Sequence, residues 1–386
     1  MSNEDFVKNI SQIDYLKLRA SYGEVGNNRG IGYFPYMQLF VTGWNNLSNT
    51  GVLSGSVADP NLAWEKTSIT NVGIDFGIGN RFSGALEYYS KESIDLIYDK
   101  PLAISTGNES ITTNVGAIKN SGIEFTLDAN VIKSEDLNFD LGFNISTNTN
   151  EITELTQEEF ISGTKKWMVG KSLYNWFIRE WAGVDPDDGY GMWYKDVLDA
   201  DGEVTGRETT KEYSEATRYY IDDKTSLPKY TGGITANLSY KNFDFSTLVY
   251  FSLGSHQYDS QYASLMSGME RNDQGHPDLV NRWQQPGDVT DVPLLLNTSN
   301  DFNATSTRFL YKNDWGRVKS LSLGYTFDDE VNTRLKTQSI RVFLQGDNLF
   351  TLSSKDGIDP EQTLSGLTGS RSYQLKTISL GLNIKI

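Results

Sequence analysis

The chain has 386 residues, of which 50 are acidic and 34 basic, and its formal net charge is −16. This balance argues against nucleic-acid binding, which needs a basic face. The absence of cysteine excludes a disulfide framework and thiolate chemistry. No run of about 18 apolar residues occurs, so the sequence predicts no transmembrane helix. Abundant tyrosine, phenylalanine and glycine favour strands and turns.

Alternation of apolar and polar residues, the signature of a strand with two different faces, recurs along the whole chain. It is clearest at 123–131, 139–146, 234–240 and 378–386. Further segments of this kind begin near Leu16, Ser68, Phe82, Phe243, Trp315 and Ser339. The pattern predicts about ten antiparallel strands, each with the roughly 9–11 residues that a tilted strand needs to cross a bilayer.

The connections between these segments alternate between short and long. The short ones, at 79–81, 133–137, 241–242 and 329–338, are rich in Asn, Gly, Asp and Ser. The long ones span approximately 24–67, 92–117, 149–231, 254–314 and 348–372. Several loops of this length are rare in a compact soluble domain, whereas short periplasmic turns and long extracellular loops are typical of outer-membrane barrels. We therefore predict an all-β antiparallel transmembrane β-barrel wall in the outer membrane, with the five long segments outside the cell.

Several motifs resemble those of the SusC/RagA class of TonB-dependent outer-membrane transporters. Segment 16–27 reads LKLRASYGEVGN, segment 59–67 reads DPNLAWEKT, and segment 120–124 reads NSGIE. Segments 183–186 (GVDP) and 199–202 (DADG) follow, and segments 321–325 (LSLGY) and 345–350 (QGDNLF) come late in the chain. Each motif is weak alone, but their order and spacing cover essentially the whole chain.

The resemblance implies a 22-stranded barrel with an N-terminal plug, driven by the TonB complex and lidded by a SusD-like surface lipoprotein. Its substrates would be bulky glycans or peptides, and its surroundings outer-membrane lipid. This chain matches only about the last ten strands, with no counterpart of the plug domain. TonB would act only through the N-terminal part that has no match here. Segment 4–9 resembles a periplasmic turn inside the family barrel, so we expect Met1 to be an internal methionine of a larger barrel.

Two other functions stay open, because soluble sandwiches also alternate apolar and polar residues and only the alternation of short and long loops favours the transporter. One is a small passive porin made by this chain alone, and the other is a secreted β-sandwich that binds carbohydrate. An enzyme is not expected, because the sequence contains neither a Gly-x-Ser-x-Gly motif nor a phosphate-binding glycine-rich loop. No cofactor is predicted.

Aromatic residues in the longest loop are the candidate ligand contacts: Trp176, Trp181, Tyr190, Trp193 and Tyr194. Flat aromatic faces suit sugar rings or an apolar partner surface. The alternative is that these rings pack the loop onto itself over the barrel mouth.

Metal binding has one weak candidate. Asp199, Asp201 and Glu203 offer oxygens to calcium beside Gly202, but the spacing lacks the full twelve-residue calcium loop, so a solvated turn is the alternative. The two histidines, His256 and His276, fall in one long loop and predict no metal site.

The predicted outward face supplies a test. Ile123, Phe125 and Leu127 should lie level with Phe139, Leu141 and Phe143 on the lipid side. Phe125→Lys should impair assembly in membranes, because a charge near the bilayer midplane costs about 2–4 kcal/mol. Thr126→Lys, on the opposite face, is the matched control and should assemble, as measured by heat-modifiable gel mobility. Equal tolerance of both variants would contradict the assignment of faces.

Overall fold

The computed structural model describes residues 10–29, 33–55, 57–267, 274–296, 301–369 and 372–386. Segment 4–9 lies outside these residues. Antiparallel strands dominate the described chain, and none of its helices is long and apolar enough to span a membrane. The chain divides into an N-terminal unit (1–128, 146–161 and 167–173) and a C-terminal unit (129–145, 162–166 and 174–386).

The ten long strands are β1 (Ile13–Asn27), β4 (Glu65–Ile78), β5 (Phe82–Ile94), β8 (Gly116–Lys133), β9 (Leu137–Thr147), β18 (Tyr230–Tyr240), β19 (Phe243–Leu253), β22 (Trp315–Thr326), β23 (Ser339–Ser353) and β24 (Thr377–Lys385). The shorter strands are β2 (Phe40–Thr42), β3 (Val52–Ser54), β6 (Ile97–Pro101), β7 (Ser110–Asn114), β10 (Thr149–Leu155), β11 (Glu159–Ser162), β12 (Lys165–Met168), β13 (Asn175–Arg179), β14 (Trp181–Val184), β15 (Gly191–Leu198), β16 (Val204–Thr210), β17 (Arg218–Thr225), β20 (His256–Tyr258) and β21 (Leu310–Lys312). The α-helices are α1 (Ser260–Leu265) and α2 (Asp329–Leu335), and short 3₁₀ helices occur at Ile104–Thr106, Tyr213–Glu215, Pro277–Asn281 and Thr307–Phe309.

All ten predicted strands are confirmed, nine of them within four residues of the expected start, while β8 begins seven residues before the predicted segment 123–131. In the N-terminal unit the hydrogen-bonded order is β1-β4-β5-β8, and in the C-terminal unit it is β9-β18-β19-β22-β23-β24. The long loops contain the shorter strands, which the sequence did not predict. The segment 329–338, predicted as a turn, contains α2.

Rows of exposed apolar side chains cross the strands in register. Leu18 pairs with Ile74 and Ile74 with Leu86 in the N-terminal unit, and all three are exposed. In the C-terminal unit Leu323 pairs with Leu344 and Leu344 with Leu380, and these are exposed too, Leu380 to 78%. A soluble sheet would bury such rows, whereas a lipid-facing wall leaves them on its surface.

The opposite face of the sheet is polar and carries ion pairs. Arg19 contacts Asp75 at 2.9 Å and Glu87 at 2.7 Å in the N-terminal unit. In the C-terminal unit the Nε–H of Arg341 donates to Asp244 at 2.9 Å. Charged side chains therefore occupy the face that alternates with the exposed apolar rows, as the period-two pattern requires.

The tight turns have the backbone that hairpins need. Gly79 and Asn80, between β4 and β5, both have positive φ, at 62° and 52°. Two successive residues of this kind match the right-handed twist of the flanking strands, and Gly and Asn adopt the conformation at low cost.

The buried apolar clusters lie in the loops of the C-terminal unit. One contains Trp176, Ile178, Tyr258, Ala263, Met266, Leu279, Val292 and Phe309, and the other contains Trp193, Ala216 and Phe302. The loops therefore have cores of their own, while the sheet exposes its apolar face.

The loop after β23 is fixed to β22 by a buried ion pair. Arg317 (2% exposed) donates to Asp359 at 2.8 Å and to Glu361 at 2.9 Å. The other oxygen of Asp359 accepts the backbone N–H of Gln374 at 2.7 Å, which closes the loop on itself. Removing one member of such a pair leaves an uncompensated buried charge.

Asp359→Ala should therefore lower the free energy of unfolding by about 3 kcal/mol or more, because Arg317 stays buried with less compensation. Protease cleavage within 353–376 should rise with it. The control is Lys319→Ala, which removes a half-buried partner of the more exposed Glu361 and should cost less than about 1 kcal/mol. Equal melting temperatures for the two variants would show that the buried pair does not hold the loop.

Candidate functional site

Trp176, at the start of β13, joins segments from three long loops. Its ring has no exposed surface, and its Nε1–H donates to the carbonyl oxygen of His256 over 3.1 Å. Gly366 lies so close that a Cβ atom there would fall 2.5 Å from the indole Cζ2. Gly366 also has a φ of 82°. The close approach and the positive φ both call for glycine at this position.

The ammonium group of Lys165 lies over the same indole, 3.3 Å from a ring centroid of Trp176. It donates to the carbonyl oxygen of Tyr174 at 2.9 Å and to Ser226 Oγ at 3.2 Å. Ser226 Oγ–H in turn donates to the carbonyl oxygen of Leu364 at 2.7 Å. No carboxylate forms an ion pair with Lys165 in the part of the chain that the structure describes. Burial lowers the pKa of Lys165 to about 7.

A second aromatic group surrounds β14 and β15. Trp181 and Trp193 meet edge to face with centroids 5.3 Å apart, and Trp193 meets Tyr213 in the same way at 5.4 Å. The guanidinium of Arg179 lies 4.1 Å from the Tyr213 centroid, and that of Arg308 lies 5.0 Å from the Trp181 ring. Edge-to-face and cation–π contacts of this kind fix the relative positions of loop segments.

The five candidate aromatic residues thus have different environments. Trp176 is fully buried and Trp193 is 1% exposed, so neither ring face is open to a ligand. Trp181 and Tyr194 are half-buried, and Tyr190 is 38% exposed. The geometry gives Trp176 and Trp193 packing roles and leaves Tyr190 as the most accessible ring.

Tyr190 follows a turn that is held by a lysine. Lys211 pairs with Asp185 and Asp188 at 2.6 Å each, and its hydrogen bond holds the pKa of Asp185 below the ordinary value. Trp283 Nε1–H donates to the carbonyl oxygen of Pro186 at 3.0 Å, which fixes the turn to a neighbouring loop. Tyr190 therefore stands on a rigid turn.

The calcium candidate lies in the hairpin between β15 and β16. Asp199 Oδ1 accepts the backbone N–H groups of Asp201 and Glu203, at 3.0 and 2.9 Å. This oxygen closes the turn. Over the described ranges no group of three or more His, Asp or Glu side chains has the arrangement of a metal site.

The two histidines have separate environments. His256, in β20, is half-buried, and burial lowers its pKa. His276 Nδ1 accepts the backbone N–H of Asp278 at 3.2 Å and so caps the 3₁₀ helix Pro277–Asn281.

An uncharged hairpin of the N-terminal unit exposes many large apolar side chains outside the long strands. Between Arg29 and Asp59 the sequence contains no charged residue. Strands β2 and β3 pair there, with Phe40 opposite Ser54. The exposed large apolar side chains of this hairpin are Tyr33, Phe34, Tyr36, Met37, Leu39, Phe40, Val41, Trp44, Leu47, Val52 and Leu53. Exposed apolar side chains grouped in one short segment make this hairpin a candidate interaction surface.

Sequence reasoning did not single out this hairpin or Lys165. The hairpin has a detectable signal, since a gap of this length in a chain with 22% charged residues is visible by counting. Lys165 has none, because its burial depends on Trp176 and Ser226 at other places in the chain.

Antiparallel strands with one exposed apolar face, one polar face and long folded loops define a transmembrane β-barrel wall. Comparison with known proteins gives the family. Residues 11–349 match the family described as TonB dependent receptor-like, beta-barrel, so the chain belongs to that family. It is an outer-membrane protein of the SusC/RagA kind, and the resemblance noted from the motifs is confirmed.

Curated relatives match the chain over its whole length. TonB-dependent receptor P3 of Formosa agariphila is 28% identical over 426 residues, and the chain covers 41% of it. TonB-dependent receptor SusC of Bacteroides thetaiotaomicron is 29% identical over 405 residues, with 39% of it covered. The chain thus spans about two fifths of the length of these relatives.

Solved structures show the same fold. The structure of the RagAB peptide transporter superposes with a TM-score of 0.84 at 25% identity, over 99% of this chain and 42% of that one. The RagAB peptide importer in its closed-closed state gives a TM-score of 0.83 at 26% identity, over 99% of this chain and 42% of that one.

The buried lysine predicts a pH dependence. Its pKa is about 7 in the folded protein and 10.5 when exposed, so between these values the folded state binds fewer protons than the unfolded state. The free energy of unfolding should therefore rise with pH across this window. We expect a rise of up to about 3 kcal/mol, because the contact with Trp176 stabilises the charged ammonium and offsets part of the cost of burying it. Lys165→Met should remove this slope.

The measurement is the melting temperature from neutral pH upward, and the control is Lys376→Met, which removes an exposed lysine. An unchanged slope in Lys165→Met would contradict the assigned role of the buried ammonium.

Proposed function

We propose that the chain forms part of the barrel wall and the loop lid of a TonB-dependent transporter that imports bulky glycans or peptides with a SusD-like lipoprotein. The observation that carries this proposal is the combination of an exposed apolar face with loops that have their own buried cores. The family match supports transport across the outer membrane. The five long connections are the extracellular loops in this proposal.

The uncharged hairpin is the proposed contact for the lipoprotein. It lies between β1 and β4, in a connection that the alternation of short and long loops assigns to the cell surface. Residues 30–58, which include its aromatic and aliphatic side chains, contain no charged residue. Such a composition suits the dry centre of a protein interface, where aromatic anchors provide most of the binding free energy.

A small porin is a weaker alternative. Closure of the ten strands on themselves would give every strand two neighbours. Among the residues described, β1 pairs with β4 alone and β24 with β23 alone.

The double variant Phe40→Asp, Trp44→Asp tests the partner surface. It should still be found in the outer-membrane fraction, because both side chains are exposed on the hairpin and lie outside the ten long strands. It should lose a surface lipoprotein that co-purifies in stoichiometric amounts with the unmodified protein, since each aromatic anchor contributes about 2 kcal/mol or more to such an interface.

Asn45→Asp adds a charge beside Trp44 without removing an aromatic side chain, and this control should retain the lipoprotein. Import of labelled glycan or peptide should fall with lipoprotein binding. Full retention of the lipoprotein by the double variant would contradict the proposed contact, and recovery of the unmodified protein as a water-soluble species would contradict the transporter itself.

A further inference from the structure

A cavity of about 160 Å³ lies in the C-terminal unit, between α1 and the turn at 355–358. The polar and aromatic side chains that line it are Asp259, Tyr262, His276, Lys355 and Asp356, and Ile358 adds an apolar side. None of these residues belongs to the aromatic groups around Trp181 and Trp193. The cavity is therefore a separate candidate site within the loops.

Asp259 provides a buried negative charge. The residue is 3% exposed, and its Oδ1 accepts the backbone N–H of Tyr262 at 2.9 Å, which caps α1. No Lys, Arg or His forms an ion pair with it in the ranges that the structure describes. One carboxylate oxygen thus serves the helix, and the charge has no cationic partner.

Lys355 provides the opposite charge. Its Nζ lies 4.7 Å from the Tyr262 ring centroid and 6.0 Å from that of Tyr311. Across the described segments no carboxylate pairs with it. Asp259 and Lys355 therefore both line the cavity without pairing with each other, and both contact Tyr262.

Tyr262 forms a fixed wall between these charges. Its hydroxyl donates to Asp278 Oδ2 at 2.7 Å, and its ring meets that of His276 at 90° with centroids 4.7 Å apart. Burial and the neighbouring Asp278 raise the pKa of Tyr262 to about 12, so the hydroxyl remains a neutral donor. The position of Tyr262 is thus fixed by contacts of its backbone, its ring and its hydroxyl.

Asp259 is buried without a cationic partner, which is costly, and Lys355 beside the cavity is half-buried. A ligand that pairs with both groups gains charge-assisted hydrogen bonds. We propose that this cavity binds a zwitterionic ligand of the amino-acid or short-peptide class. The ligand ammonium pairs with Asp259, and the ligand carboxylate pairs with Lys355.

A neutral sugar could donate hydroxyls to Asp259 but would leave both formal charges uncompensated. A zwitterion compensates both. This inference rests on the proposed transport function and narrows its substrate class from glycans or peptides to peptides.

The test is calorimetric titration of the complete transporter that contains this chain, purified in detergent, with the dipeptide Ala-Ala. Binding should be measurable, and N-acetylation or C-amidation of the dipeptide should each weaken it at least about tenfold, because each removes one charge pair. Equal affinity for free and capped dipeptides, no binding of the free dipeptide, or tighter binding of maltose would overturn the proposal.

Two variants test which cavity residue binds which end of the dipeptide. Asp259→Asn keeps an N-cap acceptor for α1 while removing the charge, and it should abolish the discrimination against N-acetylation. Lys355→Met keeps an unbranched side chain of similar length without the charge and should abolish the discrimination against C-amidation. Lys376→Met, an exposed lysine outside the cavity, should behave as the unmodified protein. Unchanged discrimination in both cavity variants would also overturn the proposal.

The two proposals fail separately. Dipeptide binding is measured without the lipoprotein and without transport. Loss of the lipoprotein contact together with intact dipeptide discrimination would contradict only the proposed partner. A transporter that retains the lipoprotein but ignores dipeptide ends would contradict only the peptide site.

Discussion

Contact with hydrocarbon is the constraint on which the rest of the structure depends. Lipid accepts apolar side chains but offers no hydrogen bond to a backbone group, so a spanning strand must pair with its neighbours and alternate its side chains. The row Leu323, Leu344 and Leu380 shows the result, because these residues are adjacent in register and exposed together. Ion pairs such as Arg341 with Asp244 are confined to the other face.

The same constraint explains where the buried cores lie. A sheet that gives its apolar face to lipid cannot use that face to fix its loops, so the loops need apolar clusters of their own. One of these loop clusters contains Trp176, and the other contains Trp193. Lys165 shows what the arrangement costs, since its ammonium is buried beside Trp176 with neutral acceptors in place of a carboxylate.

The strands were predictable because each is specified locally. Alternation at 378–386 identifies β24 without knowledge of its neighbour, and Gly79 with Asn80 specifies a hairpin from two residues. The loop structure was not predictable in this way. The short strands depend on pairings such as Lys165 with Trp176, and the cavity brings Asp259 near Lys355, which lies almost a hundred positions later. No periodic pattern records such contacts. The aromatic candidates were found from composition, but their burial had to be observed.

The edges of the sheet add a quantitative argument. Strand β1 has 15 residues and β24 has 9, and among the described residues each has a single paired neighbour. About half of the backbone N–H and C=O groups of such an edge strand point away from that neighbour. Each unsatisfied group costs several kcal/mol in hydrocarbon, so the two edges together would cost on the order of tens of kcal/mol. That exceeds the roughly 5–15 kcal/mol by which folded proteins are stable. In a bilayer the backbone groups of both edges therefore need further hydrogen-bond partners, which is the same requirement that pairs every inner strand of each unit.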